Sequence, residues 1–344
     1  MDRKPESWFD PQSRFQSVVC GIDFDQDGKQ FDNLRIVQSA NVTGWQTALI
    51  PIVSIRNGEG PTLLLLGGTH GDEVEGPVVL LKLARSLRPQ DIRGRVIIVP
   101  ALNYGAVEAG QRGAPADGRD LNRCFPGKPD GSFAEIVAHY VDSELLPRSQ
   151  VAIDLHAGGR DARFLRSLWL LECQDREIWQ RTLAAARAFC APHVVVSPSL
   201  GGDMSESAVR CGCAYLSTEA GGAATVDREV VALSAAGIAR VMAHLAMISP
   251  DSAPAPSGNT RWMRVPGGLG VLLADERGLF EPAINLGDEV AAGQLLGHIH
   301  RIEQPAQAPA EVVAPIGGLV YGLRWLSQVK RGDRLVTFAI DEGT

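Results

Sequence analysis

The chain has 344 residues, 45% of them hydrophobic, with 33 Lys and Arg against 40 Asp and Glu and a formal net charge of −7. That length exceeds the size at which a single hydrophobic core stops growing, so two domains are expected. The acidic balance and the lack of any Lys/Arg-rich run exclude the electrostatic footprint of a nucleic-acid or anionic-membrane binder, and small molecules become the expected partners. The opening "MDRKPESWFDPQSRFQ" lacks the apolar centre of a signal peptide, and no segment approaches ~18 consecutive apolar residues. A cytoplasmic location is expected. Cys20, Cys124, Cys173, Cys190, Cys211 and Cys213 are scattered without a paired framework and read as free thiols, the Cys211-x-Cys213 pair as buried small hydrophobes.

Residues 1–45 mix polar turns with β-leaning runs and form a strand-rich lead-in to a catalytic region over residues 46–250, where "TALIPIVSI" is the first strongly β-like run. From Thr62 the texture changes. "TLLLLGG" is a short apolar run bounded by glycines, "VVLLKLARSL" has helical spacing, and "GRVIIVPALN" is the next buried strand. "SQVAIDLHAGG" and "CAYLSTEAGG" repeat the theme of a buried strand ending in polar residues and glycines, with helical segments such as "DREIWQRTLAAARAFCA" between them. Buried strands alternating with helices predict an α/β fold with a parallel or mixed sheet flanked by helices, and in such sheets ligands collect at the carboxyl ends of the strands. Residues 251–260, rich in Pro, Ser and Ala, read as a linker. Residues 261–344 carry only short β-like runs spaced by Gly-Asp turns, in two halves with a rough internal repeat. They predict a small all-β barrel-sandwich domain resembling biotinyl and lipoyl carriers in shape, without a carrier lysine motif. Capping the active-site entrance or an oligomer interface is its expected role.

The chemistry concentrates at strand ends. In "GGTHGDE", His70 and Glu73 stand three apart at a strand-to-helix junction, and "IDLHAGG" ends a second strand on His156. Two His and one Glu with an open fourth position form the ligand set of a catalytic Zn²⁺ site. Hydrolysis also needs a base for water, and Glu219 in "STEAGG" ends a third apolar strand. In "GRDLNRCFPG", Arg123 can grip a carboxylate in bidentate fashion, with Asn122 adding a donor. His139, His193 and His244 read as structural, and His298 with His300 as an exposed pair lacking a carboxylate partner.

The ordered set "GGTHGDE", "RDLNRCFPG", "IDLHAGG" and "STEAGG" resembles the succinylglutamate desuccinylase and aspartoacylase family, a branch of the zinc-carboxypeptidase fold that cleaves acyl groups from N-acyl amino acids. The resemblance spans residues 50–250, and the tail also looks like that family's C-terminal domain. It implies that His70, Glu73 and His156 bind one zinc ion, that Glu219 is the general base, and that Asn122 and Arg123 hold the substrate carboxylate. It further implies an arginine that polarises the scissile carbonyl, assigned to Arg112 with Arg119 as the alternative. "IPIVSIRNGEGPTLLLLGGTHGDEVEGP", "NRCFPGKPDGS" and "GGDMSESA" are similar to the N-acetyl-diaminobutyrate deacetylase subgroup of ectoine breakdown. Thr69 and Ala157 stand where relatives often carry Asn and Ser. The subgroup implies N-acetyl-L-2,4-diaminobutyrate as substrate, with Asp203 or Glu206 matching its ammonium. The competing readings are deacylation of another N-acyl amino acid, a zinc carboxypeptidase acting on peptides, and a non-catalytic zinc-binding scaffold.

Overall fold

The run "LLLL" over residues 63–66 offers no polar position to face water, so as a strand it must be covered on both sides. The computed structural model describes residues 17–40, 43–198, 202–256 and 258–342. The opening stretch over residues 1–16, read above as lacking a signal-peptide centre, lies outside them. In chain order the first half contains β1 (Gly28–Ala40), β2 (Thr43–Asn57), β3 (Thr62–Gly67), α1 (Glu75–Ser86), β4 (Gly94–Val99), α2 (Tyr104–Ala109), α3 (Phe133–Tyr140) and β5 (Val151–His156). Then come β6 (Ala162–Glu172), α4 (Arg176–Phe189), β7 (His193–Pro198), α5 (Met204–Arg210), β8 (Ala214–Gly222) and α6 (Arg228–His244). The tail contributes β9 (Arg261–Arg264), β10 (Val271–Leu273), β11 (Gly278–Pro282), β12 (Glu289–Val290), β13 (Leu295–His300), β14 (Ala310–Val313), β15 (Gly318–Arg324), β16 (Gln328–Val329) and β17 (Arg334–Asp341). The fold is mixed α/β. Among the described residues no helix is long and apolar enough to cross a membrane.

β4, β3, β5 and β8 lie side by side and parallel. The β1–β2 hairpin adds antiparallel to β4, and β6 adds antiparallel to β8. Strand periodicity divides the leucines of β3 between two cores. Leu63 and Leu65 enter a cluster shared with α1, α4 and α6, while Leu64 and Leu66 enter one shared with α2, α3 and α5. Each fully buried leucine contributes roughly 1.5–3 kcal/mol, so a continuous apolar run is the stabilising choice for a central strand. Because the central strands are parallel, their carboxyl ends share one edge of the sheet, and His70, His156 and Glu219 all belong to that edge.

The tail joins this sheet. β7 pairs with β9, β9 with β17, β17 with β15, and β15 returns to β6, which itself pairs with β7. These pairings close a ring of strands drawn from both regions, and Ala162, Phe164, Val195, Met263, Leu319, Tyr321 and Ala339 share one buried cluster there. A separate sheet of β14, β13, β11 and β16 packs against the tail's other strands through Phe280, Leu296, Ile299, Val312, Val320, Val336 and Phe338. The repeat read from the sequence is visible as paired turns. Asp288 Oδ2 accepts from Asn285 N at 2.7 Å, and Asp333 Oδ2 accepts from Lys330 N at 2.9 Å, with Gly287 at φ 93° and Gly332 at φ 89°. Those glycines adopt a left-handed backbone that a side chain would strain.

Helix α1 approaches β5 so closely that a Cβ on Gly76 would stand 2.7 Å from both Cβ and O of Leu155, the residue before His156. Gly76→Ala is expected to destabilise the protein by about 1–3 kcal/mol in denaturant unfolding, because the backbone must shift to admit the methyl group. In an uncrowded helix interior the same change stabilises by roughly 0.5–1 kcal/mol, so the sign of the effect checks the close approach.

Candidate active site

Gly68 turns the chain out of β3 at φ 65°, and the four residues Thr69 to Asp72 lead to Glu73 just before α1. His70, Glu73 and His156 are all buried. Their ligating atoms lie within 4.8 Å of one another, so the three could hold a metal ion. His70 Nδ1 is 2.7 Å from Glu73 Oε1, and His156 Nδ1 is 2.9 Å from Glu73 Oε2, an oxygen that also accepts from Ala157 N at 3.0 Å. The far nitrogen of each ring meets another carboxylate: His70 Nε2 lies 3.1 Å from Asp120 Oδ1, and His156 Nε2 lies 2.8 Å from Asp154 Oδ2.

The electrostatics follow from this packing. Burial alone pushes the Glu73 carboxyl up, but the charges of His70 and His156 outweigh it and hold the group far below the usual carboxylate range. Burial pushes both imidazoles down, and the acids around them win: His70 is raised by Glu73 and Asp120, His156 by Asp154 and Glu73. Two nitrogens and a carboxylate, each fixed from behind, suit a borderline ion such as Zn²⁺.

β5 and β8 run in register with His156 opposite Glu219. The Glu219 carboxyl is pushed up to about 7 by burial and by the negative charge of Glu73, against His156, Arg334 and His70. Its Oε2 is buried and has no hydrogen-bond partner among the described residues. A carboxyl poised near neutrality with one oxygen left without a partner is suited to proton transfer.

Of the two arginines read as alternatives, only Arg112 reaches the triad. Its Nε and Nη2 donate to Asp120 Oδ2 at 3.1 and 2.9 Å, and its Nη1 lies 3.7 Å from Glu73 Oε1. Arg119 instead pairs with Glu135 at 2.9 Å. Asn122 is fixed by accepting from Met204 N at 2.9 Å, and Arg123, on the exposed side of the same loop, donates to the Asn122 carbonyl at 2.7 Å. Asp203 and Glu206 are engaged with backbone: Asp203 caps α5 by accepting from Glu206 N at 3.2 Å, and Glu206 accepts from Gly202 N at 3.0 Å. The reading of His298 and His300 as lacking a carboxylate needs correction, since antiparallel pairing of β11 with β13 brings Glu281 Oε2 to 2.7 Å from His300 Nε2.

Residues 59–245 match the family described as "Succinylglutamate desuccinylase/Aspartoacylase catalytic domain". The chain belongs to the succinylglutamate desuccinylase/aspartoacylase family. It is 35% identical over 330 residues to the N-alpha-acetyl-L-2,4-diaminobutyric acid deacetylase of Halomonas elongata, covering 95% of this chain and 96% of that one. A succinylglutamate desuccinylase/aspartoacylase structure from Rhodobacter sphaeroides is 40% identical, with a TM-score of 0.88 over 95% of this chain and all of the other. The product-bound ectoine utilization protein EutE (DoeB) of Ruegeria pomeroyi is 33% identical, with a TM-score of 0.90 and coverage of 95% and 100%. The mixed α/β fold therefore matches solved structures of the family.

Sequence reasoning missed four acids that this family member places around the site. Asp154, fully buried, accepts from Thr69 Oγ1 at 3.0 Å and Tyr215 Oη at 3.3 Å besides meeting His156. Its position two residues before His156 on one strand puts both on the same face, a signal that "IDLH" does carry. Asp120 backs His70 in the same way. Asp72 Oδ2 accepts from Arg160 N at 2.8 Å and Glu75 Oε1 from Gly222 N at 3.1 Å, pinning the turn after β5 and the last residue of β8. Asp154→Asn is expected to weaken zinc affinity by about 10- to 100-fold, measured by competition with a chelator, because the amide no longer fixes and polarises His156. Wild-type affinity in that variant would contradict the role given to Asp154.

Proposed function

We propose that this protein is a zinc-dependent amidohydrolase of the zinc-carboxypeptidase type that removes the acyl group from an N-acyl amino acid, with N-acetyl-L-2,4-diaminobutyrate as its substrate. The observation that carries the reading is the placement of Glu219, with its carboxyl raised to about 7 and its Oε2 without a partner, beside His156, within one edge that also holds His70 and Glu73. The 35% identity to a deacetylase of this substrate, over nearly the whole of both chains, supports the choice of acyl group and amine. In the proposed site His70, Glu73 and His156 hold one Zn²⁺, which when bound supplies Lewis acidity for the amide carbonyl and acidifies water.

The chain's own groups then divide the work. Arg112, half exposed and anchored on Asp120, donates to the carbonyl oxygen as negative charge develops there. Glu219 takes a proton from the attacking water as the new carbon–oxygen bond forms. The same proton passes to the amide nitrogen as the carbon–nitrogen bond breaks, releasing acetate and diaminobutyrate. Asn122 and Arg123 hold the α-carboxylate. Residues 46–250 carry the chemistry, and the tail over residues 261–344 borders it through the shared strand ring. The six free thiols fit a reducing, cytoplasmic setting.

Glu219→Gln keeps the volume and removes the base, so kcat is expected to fall by about 10²- to 10⁴-fold with zinc content unchanged. Near-normal turnover would move the proton transfer to another group. The substrate is tested by kcat/KM for N-acetyl-L-2,4-diaminobutyrate, N-acetylaspartate and N-succinylglutamate, with the first expected highest. Preference for either diacid would overturn the diaminobutyrate assignment and leave the deacylase chemistry standing.

A further inference from the structure

The general base sits on a strand whose opposite neighbour is tied to the tail. Ser167 of β6 lies opposite Glu219 of β8 in the antiparallel register, just beyond an irregularity between Phe164 and Ser167. Its Oγ donates to the Glu219 carbonyl oxygen at 2.6 Å and also lies 2.6 Å from the Tyr321 hydroxyl. A serine hydroxyl has one proton, so with that proton on the Glu219 carbonyl the Tyr321 hydroxyl must be the donor to Ser167. The chain of donation runs one way, from Tyr321 through Ser167 to the backbone of Glu219.

Tyr321 is fully buried and Ser167 is 1% exposed, so water cannot replace either partner. Tyr321 is also held in place. Its ring packs 5.2 Å from Phe164 and 5.9 Å from Trp169, centroid to centroid, and the next residue, Gly322, pairs with Phe164. A Cβ on Gly322 would stand 2.5 Å from the Phe164 ring, so the close seating of β15 on β6 depends on that glycine. Among the contacts that join the catalytic sheet to the tail, this buried hydroxyl pair is the one that reaches the backbone of Glu219.

We propose that Tyr321 and Ser167 are positioning residues for the general base: the tail, through the Tyr321 hydroxyl, fixes the backbone of Glu219 and thereby where its carboxylate points. The proposal rests on the deacylase reading above for the role of Glu219. It gives the tail a part in the chemical step although no tail residue need touch the substrate. Reinforcement along a hydrogen-bond chain makes its two links act as one unit.

The test compares Tyr321→Phe, Ser167→Ala and the double variant with Leu335→Ala, a truncation in the tail's own core at a residue 1% exposed. Each clamp variant is expected to lower kcat on the order of tenfold with KM within about twofold and zinc content unchanged, and the double variant to fall no further than the worse single one. Leu335→Ala should lose stability and keep kcat. Hydrogen exchange supplies a readout independent of substrate: the amides of residues 214–222 should exchange faster in Tyr321→Phe, while those of residues 62–67 do not change. Wild-type kcat together with wild-type exchange in Tyr321→Phe would overturn the proposal, as would an equal loss of kcat in Leu335→Ala. If the wild-type enzyme turned over no N-acyl amino acid, the deacylase reading would fail by itself, and exchange across residues 214–222 would still decide whether the clamp exists.

Discussion

The active edge depends on one carboxylate with two imidazoles. Glu73 is buried, and a buried charge survives only if its lone pairs are met. One oxygen meets His70, and the other meets His156 and the Ala157 amide. The same interaction depresses the carboxyl and raises the imidazoles, so the cluster is held together by shared charge. A divalent cation would meet the same atoms while the imidazoles give up protons, which couples metal uptake to proton release. Asp120 and Asp154 stand on the outer side of the rings and keep the inner nitrogens aimed at the centre.

The other acids of "HGDEVEG" act as fasteners for backbone. Asp72 receives an amide from the turn after β5, and Glu75 receives one from the last residue of β8. Both segments run close to these carboxylates. A Cβ on Gly159 would stand 2.8 Å from Asp72 Oδ2, and one on Gly221 would stand 2.5 Å from Glu75 Oε1. Glycine is favoured there by conformation, since Gly159 and Gly221 have φ of 60° and 74°, and a side chain would also displace the carboxylates. Burial pushes the Glu75 carboxyl up to about 7, the cost of placing an acid where only backbone amides can reach it. Three acids within four residues therefore divide into one member of the candidate metal site and two anchors.

Much of this was legible in the sequence because the local signals agree with one another. The leucine run of β3 and the strand end at His156 each state a boundary that the sheet then obeys, whereas β8 runs past Glu219 through Ala220, Gly221 and Gly222 because its last two residues still pair with β6. The tail's paired Gly-Asp turns are legible for the same reason, since a left-handed glycine followed by a turn-capping Asp is a local device. What the sequence could not carry were contacts whose geometry is decided by pairing between distant strands. Nothing near Tyr321 announces Ser167, which lies 154 positions earlier, and nothing in "LGHIH" announces Glu281 across β11. The choice between Arg112 and Arg119 was open for a similar reason: both sit in one glycine-rich loop, and only the fold shows that Arg119 is taken by Glu135. That Asp203 and Glu206 each accept a backbone amide at the start of α5 is likewise a contact that residue types alone do not state.

The proposed deacylase chemistry needs a metal ion at His70, Glu73 and His156, and its binding can be measured without any substrate. Zinc titrated into metal-free protein and examined by X-ray absorption should saturate at one ion per chain with only nitrogen and oxygen neighbours at about 2.0–2.2 Å. Glu73→Gln should abolish that saturation. Sulfur neighbours at about 2.3 Å, or one tightly held ion in Glu73→Gln, would place the metal elsewhere and contradict the account.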